Sequence, residues 1–153
     1  MSRGDRAYEL FMSGYNCTQS VAGAFADVMG MDFDTVVKLA SGFGGGIGRL
    51  REVCGTFSGV VMVLNVLYGY SDPKAAKAKT ELYSRIQQLA AQFTSDNGSL
   101  ICRELLGLAK PEGSPVPEQR TGEYYKKRPC PELCRYAADM LEEYLVNADM
   151  ISE

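Results

Sequence analysis

The stretch DPKAAKAKTELYSRIQQLAAQF, Asp72 to Phe93, decides the fold class. Leu82, Ile86, Leu89 and Phe93 recur at alternating steps of four and three residues, which lays them along one face of an α-helix. Asp72-Pro73 reads as its start, a capping carboxylate followed by a proline whose missing N–H is not needed in a first helical turn. Nothing elsewhere in the chain alternates with a period of two over more than a few positions, so no strands are predicted.

Working toward the N-terminus, the same periodicity recurs. A first helix from Ser2 or Asp5 to Gly14 turns Ala7, Leu10 and Phe11 inward. Asn16 reads as the cap of a second, whose buried stripe is Cys17, Val21, Ala24, Phe25 and Val28 and which ends near Gly30. Asp34 is the expected cap of a third helix through Val36, Val37 and Ala40. The glycine-rich run Gly42 to Gly48 follows, then a fourth helix from about Glu52 to Tyr68 that is apolar on all sides, as suits the middle of a bundle.

Toward the C-terminus, residues 98–106 read as a shorter helix carrying Ile101, Cys102 and Leu105. Residues 107–129, rich in proline, glycine and charge, read as a mobile loop or lid. A last helix begins at Cys130-Pro131 and buries Leu133, Ala137, Leu141 and Tyr144. The expected architecture over residues 1–153 is one all-α domain: a bundle of about six to seven helices with a glycine-rich loop before a buried central helix.

With 153 residues, 46% of them hydrophobic, the chain is of ordinary single-domain size and folds without disulfide staples. A net charge of -3 and a pI near 5.1 argue against nucleic acid, whose phosphates require a dense basic surface. The charged start, Met1-Ser-Arg-Gly-Asp-Arg6, is not an apolar leader, so a cytoplasmic protein is expected. Val53 to Tyr70 is uncharged, but it carries Thr56, Ser58 and Asn65. Gly55 and Gly59 there are expected to admit a neighbouring helix, not to pair membrane spans.

Five cysteines stand at positions 17, 54, 102, 130 and 134, and there is no histidine. An odd, widely spaced set suits free thiols in a reducing compartment. Without histidine, no Ser/His or Cys/His pair exists, and any metal would be held by thiolates and carboxylates. Cys17, Cys54 and Cys130 fall at predicted helix starts, where unpaired N–H groups and the helix dipole favour a thiolate. Arg49, Arg51, Lys127 and Arg128 would add to that effect. A small apolar filler is the alternative for any one of them. Cys130-Pro-Glu-Leu-Cys134 has three intervening residues where a redox dithiol motif has two; its ends share a helix face, which suits two metal ligands or a thiol and its resolving partner, and Cys134 reads equally as core.

The glycine run matches neither nucleotide fingerprint, since no G-x-G-x-x-G register fits, no Gly-Lys-Ser/Thr follows and no strand precedes it. It is expected to let the backbone pack tightly beside Cys54, or to leave room for a small oxidant. Tyr124-Tyr-Lys-Lys-Arg128 reads as a solvated loop, with steering of an anionic partner as the alternative.

Several segments together carry a resemblance: Gly14-Tyr-Asn-Cys17 with Gln19 and Phe25, Gly44-Gly-Gly-Ile-Gly48, Glu52-Val-Cys54-Gly55-Thr-Phe-Ser-Gly59, Tyr68-Gly69, Cys102-Arg-Glu-Leu-Leu-Gly107, and Cys130 followed by Ala137-Ala138. In these the chain resembles the redox-active family named for its pattern C, GCAxxG, C, C. The resemblance implies a small helical fold with four characteristic cysteines, here Cys17, Cys54, Cys102 and Cys130. Thr56 stands where the pattern has a small alanine-like residue, Arg51 where a glycine is expected, and Cys134 is additional.

The leading expectation is a thiol-disulfide oxidoreductase. Two or more of Cys17, Cys54, Cys102 and Cys130 would converge and cycle between dithiol and disulfide with a redox partner protein or a small thiol or oxidant. Cys54 is the expected nucleophile, because it follows the glycine loop and Gly55 lets another chain come close. A second reading has the same four thiolates, with Cys134 as a further candidate, ligating an iron–sulfur cluster or another metal, although no C-x-x-C pair is present. A third is a helical partner-binding module with incidental cysteines. A homodimer is compatible with all three.

Overall fold

The computed structural model describes residues 1–108 and 113–153. Among the described residues it is all-α, and the helices that build it are α1 Arg3–Met12, α2 Cys17–Gly23, α3 Ala26–Met29, α4 Phe33–Ala40, α5 Gly55–Tyr68, α6 Ala76–Asn97, α7 Cys102–Leu105, α8 Gly122–Lys127 and α9 Cys130–Asn147. Among the described residues the only β pairing is one antiparallel bridge, Val53 with Ile101.

The expected helices form, with ends shifted for local reasons. Asn16 caps α2 through a reciprocal pair with Gln19: its side chain accepts the Gln19 N–H at 2.9 Å, while the Gln19 side chain accepts the Asn16 N–H at 3.0 Å. The second predicted helix breaks at Phe25 (φ -116, ψ 13) into α2 and α3. Asp32, not Asp34, caps α4, accepting the Thr35 N–H at 3.1 Å, which leaves Asp34 as a first-turn acid facing the positive helix end. Asp72 does not start α6. Its side chain takes the Lys74 N–H at 2.9 Å and its carbonyl the Ala75 N–H, closing a turn of its own so that the helix begins at Ala76.

The core is continuous, built on Phe11, Phe25, Phe93, Leu64, Leu89 and Leu141 with Val21, Val60 and Val63. The helix enclosed on most sides is the short α2, with Thr18, Ser20, Val21, Ala22 and Gly23 all buried among α1, α4, α5 and α9. The apolar α5 buries one side through Phe57, Val60, Val63 and Leu64 and leaves Val66 exposed. Small residues explain the difference: Ser20, Ala22 and Gly23 let several neighbours approach the α2 backbone at once. No described helix is long and apolar enough to cross a membrane.

The stretch expected to be a loop contains α8, capped by Thr121, whose hydroxyl accepts the Tyr124 N–H at 3.3 Å. Arg120 just before it donates to the carbonyls of Phe11 and Tyr15, tying the segment to the turn that precedes Cys17. Residues 109–112, part of the predicted loop, lie outside the described residues.

Candidate functional site

All four family cysteines stand at helix starts. Cys17, Cys102 and Cys130 are the first residues of α2, α7 and α9, and Cys54 is the cap of α5. Cys102, which the periodicity places inside a longer helix, begins a short one instead. Around the Val53–Ile101 bridge the Cys54 N–H donates to the Leu100 carbonyl at 2.7 Å and the Cys102 N–H to the Glu52 carbonyl at 2.6 Å. Two cysteines far apart in sequence are thereby held on adjacent strands of backbone. A residue-by-residue periodicity cannot reveal such a pairing, because one bridge has no repeat.

Gly55 brings Cys17 into the same region. Its position lies so close to α2 that a Cβ there would sit 2.7 Å from the Thr18 hydroxyl and 3.1 Å from the Cys17 Cβ. The Thr18 hydroxyl donates to the Gly55 carbonyl at 2.8 Å and locks the approach. This is the close helix approach expected of Gly55. From the other side, α9 delivers Cys130 and, one turn later, the core residue Cys134. Both lie close enough to the thiol of Cys17 to act on its ionisation.

The glycine run wraps the N-terminal end of α2. After the 3-10 turn Ser41–Phe43, the segment Gly44–Ile47 contains Gly45 and Gly46 in left-handed geometry, and positive φ continues through Ile47, Gly48 and Arg49. Asn16 anchors this turn by donating to the Ser41 carbonyl at 2.9 Å. Arg51 is left-handed as well, at φ 60. That geometry favours glycine, the residue the resemblance leads one to expect there, and an L-residue in it is strained by roughly 1–2 kcal/mol. Arg51 is only 8% exposed, and its guanidinium approaches the Cys102 sulfur at 3.7 Å.

The expectation of low thiol pKa values is overturned. Burial pushes Cys54 up to about 11, opposed by a hydrogen bond 3.1 Å long to the Thr56 hydroxyl. Burial also raises Cys102, opposed by Arg51, and raises Cys134 against its interaction with Cys17. At Cys17 the interaction with Cys130 favours the thiolate. The interaction with Cys134, burial and the neighbouring sulfurs outweigh it, and the thiol is held well above its ordinary range. Cys130 is raised by its interaction with the Cys17 thiol and by burial. Helix-end stabilisation is modest, whereas taking an anion out of water and crowding it against further thiols is costly.

A cavity of about 400 Å³ reaches this cluster from the surface, and Cys130 is the one cysteine in its lining among the described residues. Arg49, Arg51, Arg120, Arg128 and Tyr124 line it as well, so Tyr124 and Arg128 belong to the site and not to a solvated loop. Cys54, singled out above as the nucleophile, is buried behind Cys130 and does not line it. Among the described residues no group of three or more Cys, Asp or Glu side chains is arranged to hold a metal ion. All five cysteines are free thiols.

The family model described as "Putative redox-active protein (C_GCAxxG_C_C)" matches residues 15–144. The chain belongs to this family. The matched span holds all five cysteines, the glycine turn and the arginines of the cleft. No curated protein and no solved structure matches the chain. In this family member the two substituted positions of the pattern both touch sulfur: Thr56 is the hydrogen-bond partner of Cys54, and Arg51 is the cation beside Cys102.

Proposed function

We propose that the protein is a thiol–disulfide exchange protein in which Cys130 meets the disulfide partner and Cys17 resolves the intermediate. The Cys130 sulfur, on losing its proton, attacks one sulfur of the partner. The partner's S–S bond breaks, and the departing thiolate takes up a proton, leaving a mixed disulfide. Cys17 then attacks the Cys130 sulfur, the mixed bond breaks, and the second thiol leaves with the proton from Cys17. The protein dithiol is oxidised to a disulfide while the partner is reduced to two thiols. Reversal of the same steps reduces the protein.

The observation that carries this reading is the closeness of the Cys17 and Cys130 thiols, near enough for each to act on the other's ionisation, beside a cleft that Cys130 lines. Disulfide formation needs sulfurs from different elements already facing one another, and α2 and α9 supply them. Cys54 and Cys102, side by side behind them, supply a second dithiol to which the disulfide can pass by internal exchange. Such a cycle suits the cytoplasm, where free thiols persist.

The test is to oxidise the reduced protein with a small disulfide, quench with acid, and map the bond by mass spectrometry in the wild type and in Cys17→Ser and Cys130→Ser. A Cys17–Cys130 bond, absent in both variants, is expected. A bond that never includes Cys130, or a stoichiometric thiolate-bound metal in protein purified without oxygen, would overturn the reading.

A further inference from the structure

Exchange at Cys130 needs its thiolate, and the neighbouring Cys17 thiol and burial both oppose ionisation there. With no histidine in the chain, a hydrogen bond to that thiolate is left to the other polar side chains of the cleft. Almost all of them already have an acceptor. Asn16 donates to the Ser41 carbonyl and the Ser41 hydroxyl to the Lys38 carbonyl. Arg49 donates to the carbonyls of Ser114 and Val116, Arg51 to the Cys102 sulfur, and Arg120 to the carbonyls of Phe11 and Tyr15, while Arg128 pairs with Glu118 at 2.6 Å. Among the described residues of this lining, the Tyr124 hydroxyl alone has no hydrogen-bond partner. Its ring is nevertheless fixed. The Thr121 hydroxyl accepts the Tyr124 N–H at 3.3 Å, the Tyr125 ring stands edge-on at 5.3 Å, and the guanidiniums of Arg120 and Arg128 lie 5.9 and 5.8 Å from the ring centroid. Tyr124 lies near enough to Cys130 and Cys17 for both to act on its ionisation. Burial, helped by those sulfurs, pushes the phenol up to about 12, so at neutral pH it keeps its proton and is a donor.

We infer that the Tyr124 hydroxyl is the hydrogen-bond donor to the Cys130 thiolate, which makes it a catalytic residue of the exchange. A neutral O–H bonded to an anion is charge-assisted and brings no second ion to be desolvated. The Cys130 proton leaves to solvent through the cleft and Tyr124 keeps its own. The thiolate then attacks the partner disulfide as described above, and the partner is reduced to two thiols. The other groups that act on charge at Cys130 are Cys17 from α2, Cys134 one turn along α9, Cys54 and Cys102 from the bridge, and the cations of Arg51 and Arg128. All of them stay in place when only the Tyr124 hydroxyl is removed. This role rests on Cys130 being the exchanging thiol, and the experiment separates the two ideas.

Alkylation of Cys130 by iodoacetamide is followed against pH by peptide mapping in the wild type and in Tyr124→Phe, which keeps the ring and deletes the hydroxyl. Loss of one charge-assisted hydrogen bond should make the thiolate about tenfold rarer and about threefold more nucleophilic. Cys130 should therefore react about threefold more slowly at each pH on the rising limb of its profile. Oxidation by bis-hydroxyethyl disulfide should slow by the same factor. Cys102, whose sulfur faces Arg51, should keep its rate in the same samples. A Cys130 rate that is unchanged or faster, or a Cys102 rate that falls equally with it, would overturn the role of Tyr124. Should the disulfide oxidise Cys130 in neither protein, exchange itself fails, and the alkylation rates decide for Tyr124: a threefold loss confined to Cys130 upholds the donor, and equal rates remove it.

Discussion

Cys54 and Cys102 are neighbours through backbone alone: the N–H of one donates to the residue two places before the other, and the reverse holds too, with Leu100 and Glu52 as acceptors at 2.7 and 2.6 Å. Their side chains then diverge in environment. Cys54 receives a neutral hydroxyl from Thr56 and Cys102 a guanidinium from Arg51. Two thiols placed by one bridge are thus tuned separately.

Replacing Arg51 by glycine should relax the left-handed backbone, worth roughly 1 kcal/mol, and remove the cation beside Cys102. The expected result is a Cys102 alkylation profile displaced to higher pH. An unchanged Cys102 profile would show that the guanidinium contact has no electrostatic effect on the thiol.

Thr56→Val keeps the buried shape and deletes the hydroxyl that opposes the rise at Cys54. One net hydrogen bond is worth about 1 kcal/mol, and the Cys54 thiol should become still harder to ionise. Its alkylation by iodoacetamide, followed against pH by peptide mapping, should start later than in the wild type. A shift to lower pH would contradict the assigned role of Thr56.

The raised Cys54 thiol makes stability fall with rising pH. In the unfolded chain the thiol ionises near ~8.5, whereas in the fold it holds its proton up to about 11. Since the folded value is the higher, this contribution is complete below ~8.5 and is lost as pH climbs through about 11, a loss of about 3 kcal/mol. Urea midpoints at pH 7, 9 and 10.5 should decline, and less steeply in Cys54→Ala. Midpoints that stay flat, or a slope identical in the variant, would count against it.

A methyl group at position 55 meets the Thr18 hydroxyl and the Cys17 Cβ, both on α2. Gly55→Ala should therefore cost about 1–3 kcal/mol and move Cys17 away from Cys54. Gly122→Ala, where a Cβ meets nothing, is the comparison and should be neutral or slightly stabilising. Equal unfolding midpoints for the two variants would refute the close packing of α2 on α5.

The helical class, the Ser2 and Asn16 starts and the Leu82–Phe93 stripe were legible because each depends on residues a few places apart. Local competition defeated the Asp34 and Asp72 assignments: Asp32 stood two residues before Asp34 as a second capping acid, and Asp72 closed a turn of its own on Lys74 and Ala75. The α8 helix was hidden by its proline-rich surroundings, although Thr121 ahead of Gly122–Lys127 is a usable cap signal.

From the amino-acid order alone follow an all-α chain, thiols at helix starts, no histidine chemistry and a glycine at 55 that invites a neighbour, because these are matters of composition and short-range geometry. Only the tertiary structure decided that Cys17 meets Cys130 and Cys134, that Cys54 lies beside Cys102, and that four arginines from three segments face one cleft. It also reversed the sign of the thiol shifts. A helix start favours a thiolate locally, but burial and crowding of five sulfurs are properties of the packed whole, and at these distances desolvation is the stronger effect.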